Sequence, residues 1–277
     1  MPVLAEYNLA GRVAILATAG GGEAPFLAQA LAEAGASVFV VARRQRLLEP
    51  VLDALASHPG THGGVAADIG GQHPEALAQA MAAFDQIPPS PLLQRPVLSG
   101  VEGGVRGDFP RRLDILVNDA RSMFAQPATD ITVAQWDEVQ SRNARATFLL
   151  CQEAGRRMIQ RQYGRIVNLV SVLAERGMVN GSAFAASQAA VLSLTRSLAI
   201  EWGTSNIRVN ALGTGNFTTE DVPLEVQREE LMVRYTPLRR KGHPRDIGPL
   251  LVYLCSEACD YSTGQPVYVD GGLNAHP

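Results

Sequence analysis

A short apolar run, a turn and then a helical stretch recur along almost the whole chain, and this alternation limits the fold more than any other feature. Residues 13–18, 37–41 and 63–67 are strand-length and apolar at consecutive positions rather than alternate ones. A strand of that kind has no wet face. Helical patterns follow at 24–34, 44–57 and 74–84, the first ending at Gly35, where a left-handed residue closes a helix with least strain. Burying both faces of successive strands requires helices on each side of a parallel sheet. The sequence therefore predicts an α/β protein built as a doubly wound parallel sheet.

The alternation pauses before a fourth strand at 113–117. Residues 88–110 hold five prolines and four glycines, a density that opposes regular packing. They read as an exposed, poorly ordered insertion within one domain. Beyond it, Thr132 and Gln135 form a capping-box start to a helix ending near Arg142. A further helix spans 144–161 and a fifth strand 165–170. The rest reads as a long helix at 182–202, a sixth strand at 207–212, a helix over the site at 225–235, a helix at 244–256 with proline in its first turn, and a last strand at 267–269.

Apolar residues make up 46% of the chain, enough for a sizeable core without staples. Charged residues reach only 18%, a low share that points to surface buried against further copies, as a dimer or tetramer. A net charge of −3 gives no electrostatic reason to expect nucleic acid or an anionic membrane as partner. Cys151, Cys255 and Cys259 are too few for a disulfide framework. No nearby His or Asp spacing completes a metal set with them, so no metal is expected and the thiols read as core. The N-terminus lacks a basic stretch leading into an apolar one. No run approaches the roughly 18 apolar residues of a membrane span. These features predict a cytoplasmic protein.

In an open parallel sheet, ligands bind at the carboxyl ends of the strands, where strand order reverses. Gly20, Gly21 and Gly22 lie between the first strand and helix, where exposed backbone N–H groups suit a pyrophosphate. The same glycines also fit a tight turn with no ligand.

More specific motifs follow. Residues 11–16 and 34–43, Asp68-Ile69, and the stretches LDILVNDA at 113–120, GRIVNLVS at 164–171, IRVNA at 207–211 and TGQPVYVDGG at 263–272 stand in one order. Together they resemble the short-chain dehydrogenase/reductase family, close to its 3-oxoacyl-carrier-protein reductases. The likeness runs from Tyr7 to Leu273, omitting the insertion. It implies a single Rossmann-type domain, a homo-oligomer, a small-molecule ligand, and hydride transfer between NAD(P)H and a carbonyl or alcohol.

In that family a tyrosine protonates the substrate oxygen, and a lysine four residues later lowers the phenol's pKa and holds the nicotinamide ribose. A serine thirteen residues before the tyrosine binds the substrate oxygen, and an asparagine on an earlier helix supports a proton relay. The resemblance places the serine at Ser171 and the asparagine at Asn143. It places Phe184 and Gln188 where the tyrosine and lysine belong. One helical turn apart, these side chains share a face and are expected to point at the same ligand. A phenyl ring has no proton to give, and a carboxamide carries no charge to depress a neighbour's pKa. Losing one positioned acid–base group costs about 10²–10⁴ in rate. Of the 24 basic residues only Lys241 is lysine, so a required cation at 188 is expected as arginine. It is glutamine.

The cofactor positions are mixed. Gly20, Gly22, Arg43, Asp68, Asn118 and Ala120 fall where the family holds its dinucleotide, and Arg43 with Arg44 points to NADP. Against binding, Thr18 and Ala24 add side chains where the family has glycine, and Arg121 replaces a glycine flanking the cofactor. Thr214 replaces a proline after the sixth strand. Glu23 brings a carboxylate to the helix N-terminus, where pyrophosphate would lie. Two such charges 4 Å apart repel by about 1 kcal/mol in water and about 4 at an effective dielectric of 20. Turned to solvent, Glu23 would instead complement the helix dipole.

Three functions remain open. The chain is a redox-impaired or non-redox family member with a scaffold or small-molecule-binding role; or an NADP-dependent reductase with another proton donor; or a non-redox enzyme whose Ser171, Asn143 and Arg121 hold an oxyanion. The exchanges at 184 and 188 favour the first.

Overall fold

The computed structural model describes residues 3–20, 22–71, 75–86 and 112–275. The insertion expected at 88–110, Gly21 and the expected helix start at Pro74 lie outside those residues. Among the described residues, seven strands form one sheet: β1 Val13–Thr18, β2 Ser37–Ala42, β3 Gly63–Ala66, β4 Ile115–Asp119, β5 Gly164–Ser171, β6 Ile207–Thr214 and β7 Pro266–Val269. Their order is β3-β2-β1-β4-β5-β6-β7, and every pairing is parallel. The order reverses between β1 and β4, where Thr18 registers with Asp119.

The helices are α1 Ala24–Glu33, α2 Gln45–Leu55, α3 Ala76–Gln86, α4 Val133–Gln140, α5 Ala146–Arg161, α6 Ser182–Trp202, α7 Leu224–Glu229, α8 Leu231–Tyr235 and α9 Gly248–Cys255. Successive strand residues point to opposite faces, so a run apolar at every position feeds two cores. Ala14 and Leu16 of β1 join Leu27 and Leu31 of α1, Leu48 of α2 and Leu251 of α9. Val13 and Ile15 join Phe84 of α3, Leu150 and Met158 of α5 and Trp202 of α6. Each large aliphatic side chain so buried contributes about 1.5–3 kcal/mol. The expected α/β doubly wound sheet is the observed one.

Several expected boundaries are corrected. No break separates the helices expected on either side of residue 143; a π-helical turn, Ser141–Arg145, joins α4 to α5. The expected 225–235 helix is two, because Glu230 adopts an extended backbone (φ −70°, ψ 132°) and its carboxylate meets Lys241 Nζ at 2.6 Å. The expected 244–256 helix opens with a separate 3₁₀ turn, Pro244–Asp246, closed by a capping box between His243 and Asp246. β4 lies two residues beyond its expected place, and β6 runs on to Thr214. Ser182–Ser205 is long and apolar enough to cross a bilayer by length and composition alone, at a mean hydropathy of 1.3. Here half of that window is buried, with α6 packed on β5 and β6.

At the amino end of β5, Arg165 is fully buried. It donates to the Ser256 carbonyl and to Glu257 and Asp260, each at 3.2 Å, and stacks 4.8 Å above the Tyr163 ring. This staple closes the pole opposite the ligand end. The strands' carboxyl ends are thereby left as the place where the fold presents chemistry.

Candidate functional site

A crevice lies at the carboxyl ends of β1 and β2. Ala17, Val41 and Leu150 give it apolar surface, while Arg43, Asp68 and Arg142 bring charge to it. Nε and Nη1 of Arg43 are buried and have no hydrogen-bond partner among the described residues. Burial, with the Arg142 charge adding to it, pulls the Arg43 pKa down. Such a guanidinium is left wanting an acceptor, and an anion supplies one.

Along the crevice towards β6 the protein fills its own site. Arg121 Nε donates to Asp119 Oδ1 at 2.8 Å, Nη2 pairs with the same oxygen at 2.8 Å, and Nη1 donates to Thr214 Oγ1. Glu23 Oε1 lies 3.7 Å from Nη2. Thr18 Oγ1 donates to Asp119 Oδ2 at 3.3 Å and accepts the Gly20 N–H at 3.1 Å. One guanidinium thus ties the ends of β1, β4 and β6 to the start of α1. Burial holds the Asp119 carboxyl above its usual range; Arg121 opposes that and Glu23 adds to it. Burial also works against the Arg121 charge, but the two carboxylates outweigh it. Glu23 therefore neither turns to solvent nor stands free to meet a phosphate: its side chain is 18% exposed and faces Arg121. A Cβ built on Gly22 would come within 3.2 Å of Thr219 Cγ2, so the chain after β6 lies against the glycine turn.

At the expected catalytic positions Ser171, Asn143 and Gln188 are hydrogen-bonded within the protein and Phe184 is buried. Phe184 and Gln188 are each 1% exposed. Gln188 Oε1 accepts the Ser171 backbone N–H at 3.0 Å. The reason lies in the sheet. Pairing of β4 with β5 ends at Asn118 and Asn168, so β5 outruns its neighbour and a side chain must satisfy the exposed donor. Ser171 Oγ accepts the Leu173 N–H at 3.2 Å. Asn143, placed by the π turn, accepts the Ser122 N–H at 2.7 Å and donates to Ser187 Oγ at 2.8 Å and to the Ser122 carbonyl at 3.2 Å. Asn118 points into the sheet, donating to Asn168 Oδ1 at 2.8 Å. Ala120, Asp68 and Arg43 line the crevice; Gly20 and Gly22 flank it in the turn before α1. Among the described residues no cluster of His, Cys, Asp or Glu suits a metal.

Sequence reasoning missed the network that joins these parts. Thr18, Glu23, Arg121 and Thr214 each stood out as a departure, yet nothing in their spacing said that they meet. The one available signal was Asp119 two residues before Arg121, opposite charges on the last residue of a strand and the turn after it.

A family model described as enoyl-(acyl carrier protein) reductase matches residues 103–274. The chain belongs to the short-chain dehydrogenase/reductase family. A 2-dehydro-3-deoxy-D-gluconate 5-dehydrogenase of Bacillus subtilis is 39% identical to this family member over 58% of its chain, an alignment that spans 65% of the Bacillus protein. A 3-oxoacyl-[acyl-carrier-protein] reductase of Aquifex aeolicus is 29% identical over 97% of this reductase-family chain and 99% of its own. Among solved structures, one assigned as an NAD(P)-dependent gluconate 5-dehydrogenase from Beutenbergia cavernae, with NADP bound at low occupancy, superposes with a TM-score of 0.80. It is 31% identical over 98% of this chain and 99% of that one.

Proposed function

We propose that this dehydrogenase/reductase relative is redox-impaired and works as a small-molecule-binding or scaffold protein. One observation carries the reading: Phe184 and Gln188 occupy the proton-donor and cation positions, and the Gln188 carbonyl oxygen is already committed to the Ser171 backbone. Reduction of a carbonyl needs a proton at oxygen as hydride reaches carbon. Phenylalanine offers none, Gln188 has no charge with which to acidify a neighbour, and the Asn143 amide is spent on Ser122 and Ser187.

NADP is the cofactor this reading considers, and its two halves fare differently. Arg43 and Arg142 would hold the 2′-phosphate, since the unpartnered Arg43 nitrogens want an acceptor. The diphosphate would meet Glu23 and the engaged Arg121 on its path, side chains that do not suit it.

A second reading, an NADP-dependent reductase of gluconate-type keto acids with a different proton donor, draws on the Bacillus and Beutenbergia relatives and on Arg43. Steady-state NADPH oxidation with keto sugar acids and simple ketones separates the two. The native protein is expected to stay at the buffer rate. The four-substitution variant Asp119→Asn, Arg121→Gly, Phe184→Tyr, Gln188→Lys is expected to exceed it by about 10² or more. Native turnover at the rate of ordinary reductases would establish the second reading instead.

The same proposal includes a cytoplasmic homo-oligomer, a dimer or tetramer, supported by the low share of charged residues and by exposed Val133, Phe148 and Ile200. Light scattering on the purified protein tests the assembly; a monomer at micromolar concentration would contradict it.

A further inference from the structure

We infer that Arg121 is a built-in latch that reserves the crevice for phosphorylated adenosine mononucleotides, shutting the half that a dinucleotide would need. The inference rests on reading the crevice as a nucleotide site, and it adds which nucleotides that site accepts.

The two ends of the crevice make opposite demands. At the β2 end, Arg43 keeps two buried nitrogens without a hydrogen-bond partner among the described residues, and Arg142 lines the same wall. Arg142 pairs with Glu138 at 2.7 Å, and Asp68 is the carboxylate beside Arg43. An incoming phosphate therefore meets a guanidinium whose donors are unspent. Apolar Ala17, Val41 and Leu150 suit the face of a purine.

At the β4–β6 end every group is already engaged. Arg121 is shared among Asp119, Thr214 and Glu23, two acidic side chains against one guanidinium, so it has little charge left for an anion. Thr18 Oγ1 takes the Gly20 N–H, a donor that an oxyanion would otherwise use. Thr219 lies in contact range of the space above Gly22. A diphosphate entering here must displace Arg121 from its partners, bring its charge up to Glu23 and part Thr219 from the turn. An adenosine carrying phosphate on its ribose meets only the Arg43 end and leaves the latch shut. Binding energy gained at one end is then offset at the other, and a longer ligand gains nothing for its length.

Isothermal titration with adenosine 2′-monophosphate and with NADPH tests this. On the native protein the two dissociation constants are expected to lie within about fivefold of each other. Arg43→Leu is expected to weaken both ligands by at least about tenfold. The triple change Glu23→Gln, Asp119→Asn, Arg121→Gly removes the central ion pair together with the carboxylate beside it, so no charge is stranded. It is expected to tighten NADPH by at least about tenfold and to move the monophosphate by less than about twofold. Glu23→Gln alone, which leaves the Asp119–Arg121 pair intact, is expected to shift the ratio the same way to a smaller extent and serves if the triple variant does not fold. A native protein that binds NADPH more than about fivefold tighter than the monophosphate, or that binds neither, would overturn the latch. So would a ratio unmoved by these variants. Native turnover of ketones would refute the redox-impaired reading and leave the affinity ratio to be judged separately.

Discussion

Gln188 shows how a side chain at a site position can serve the fold. Its amide oxygen closes the Ser171 N–H at 3.0 Å from a position 1% exposed. An unsatisfied buried donor costs about 1–3 kcal/mol. Gln188→Ala is therefore expected to lower unfolding free energy by about that amount, with a further loss for the void left behind; urea titration reads it, and an unchanged midpoint would mean that water replaces the amide. The identities of Phe184 and Gln188 were legible from their spacing relative to Ser171. Where the amide points was not, because that depends on β5 outrunning β4, a property of the sheet. A helix face taken in isolation does not show the backbone donor on β5 that Gln188 meets.

At the level of elements, apolar periodicity revealed strands and long helices, while the junctions depended on side chains from elsewhere. The π turn at Ser141–Arg145 has no sequence mark of its own; Asn143 is held there by Ser122 and Ser187. The split between α7 and α8 follows from Glu230 reaching Lys241. His62 is a junction of the same kind. It precedes β3, whose pairing with β2 begins at Gly63 and Phe39, and its Nδ1 accepts the Val38 N–H at 3.2 Å. Burial lowers the His62 pKa below 6.5, so the folded protein binds that proton less readily than the unfolded chain does. The stabilisation is complete above the unfolded value and is lost as pH falls from there through the lower folded value. Melting temperature is expected to drop between about pH 7 and about pH 5, and to drop less in His62→Gln. Equal slopes in the two proteins would place the acid sensitivity elsewhere.

Across the whole molecule, two arginine clusters hold the poles of the sheet. At the amino pole Arg165 is fully buried, yet Glu257 and Asp260 are 44% and 61% exposed and rehydrate if it is lost. Arg165→Met is therefore expected to cost about 1–3 kcal/mol, mostly lost hydrogen bonds, rather than the about 3–5 of a stranded buried pair. Calorimetry distinguishes these ranges. At the carboxyl pole Arg121 works against burial with both its carboxylates, and the same end of the sheet carries the exchanged Phe184 and Gln188. The parallel, doubly wound sheet was legible because alternation demands it; the network at its carboxyl end was not, because it arises from five side chains on four separate segments.

The central claim is that this chain cannot deliver a proton together with hydride. A single-turnover experiment, with native protein in excess over NADPH and a ketone at high concentration, tests it without relying on product release. The absorbance of the reduced nicotinamide is expected to decay no faster than in buffer. Stoichiometric loss of NADPH at about 1 s⁻¹ or faster, the range of ordinary enzymes, would contradict the account.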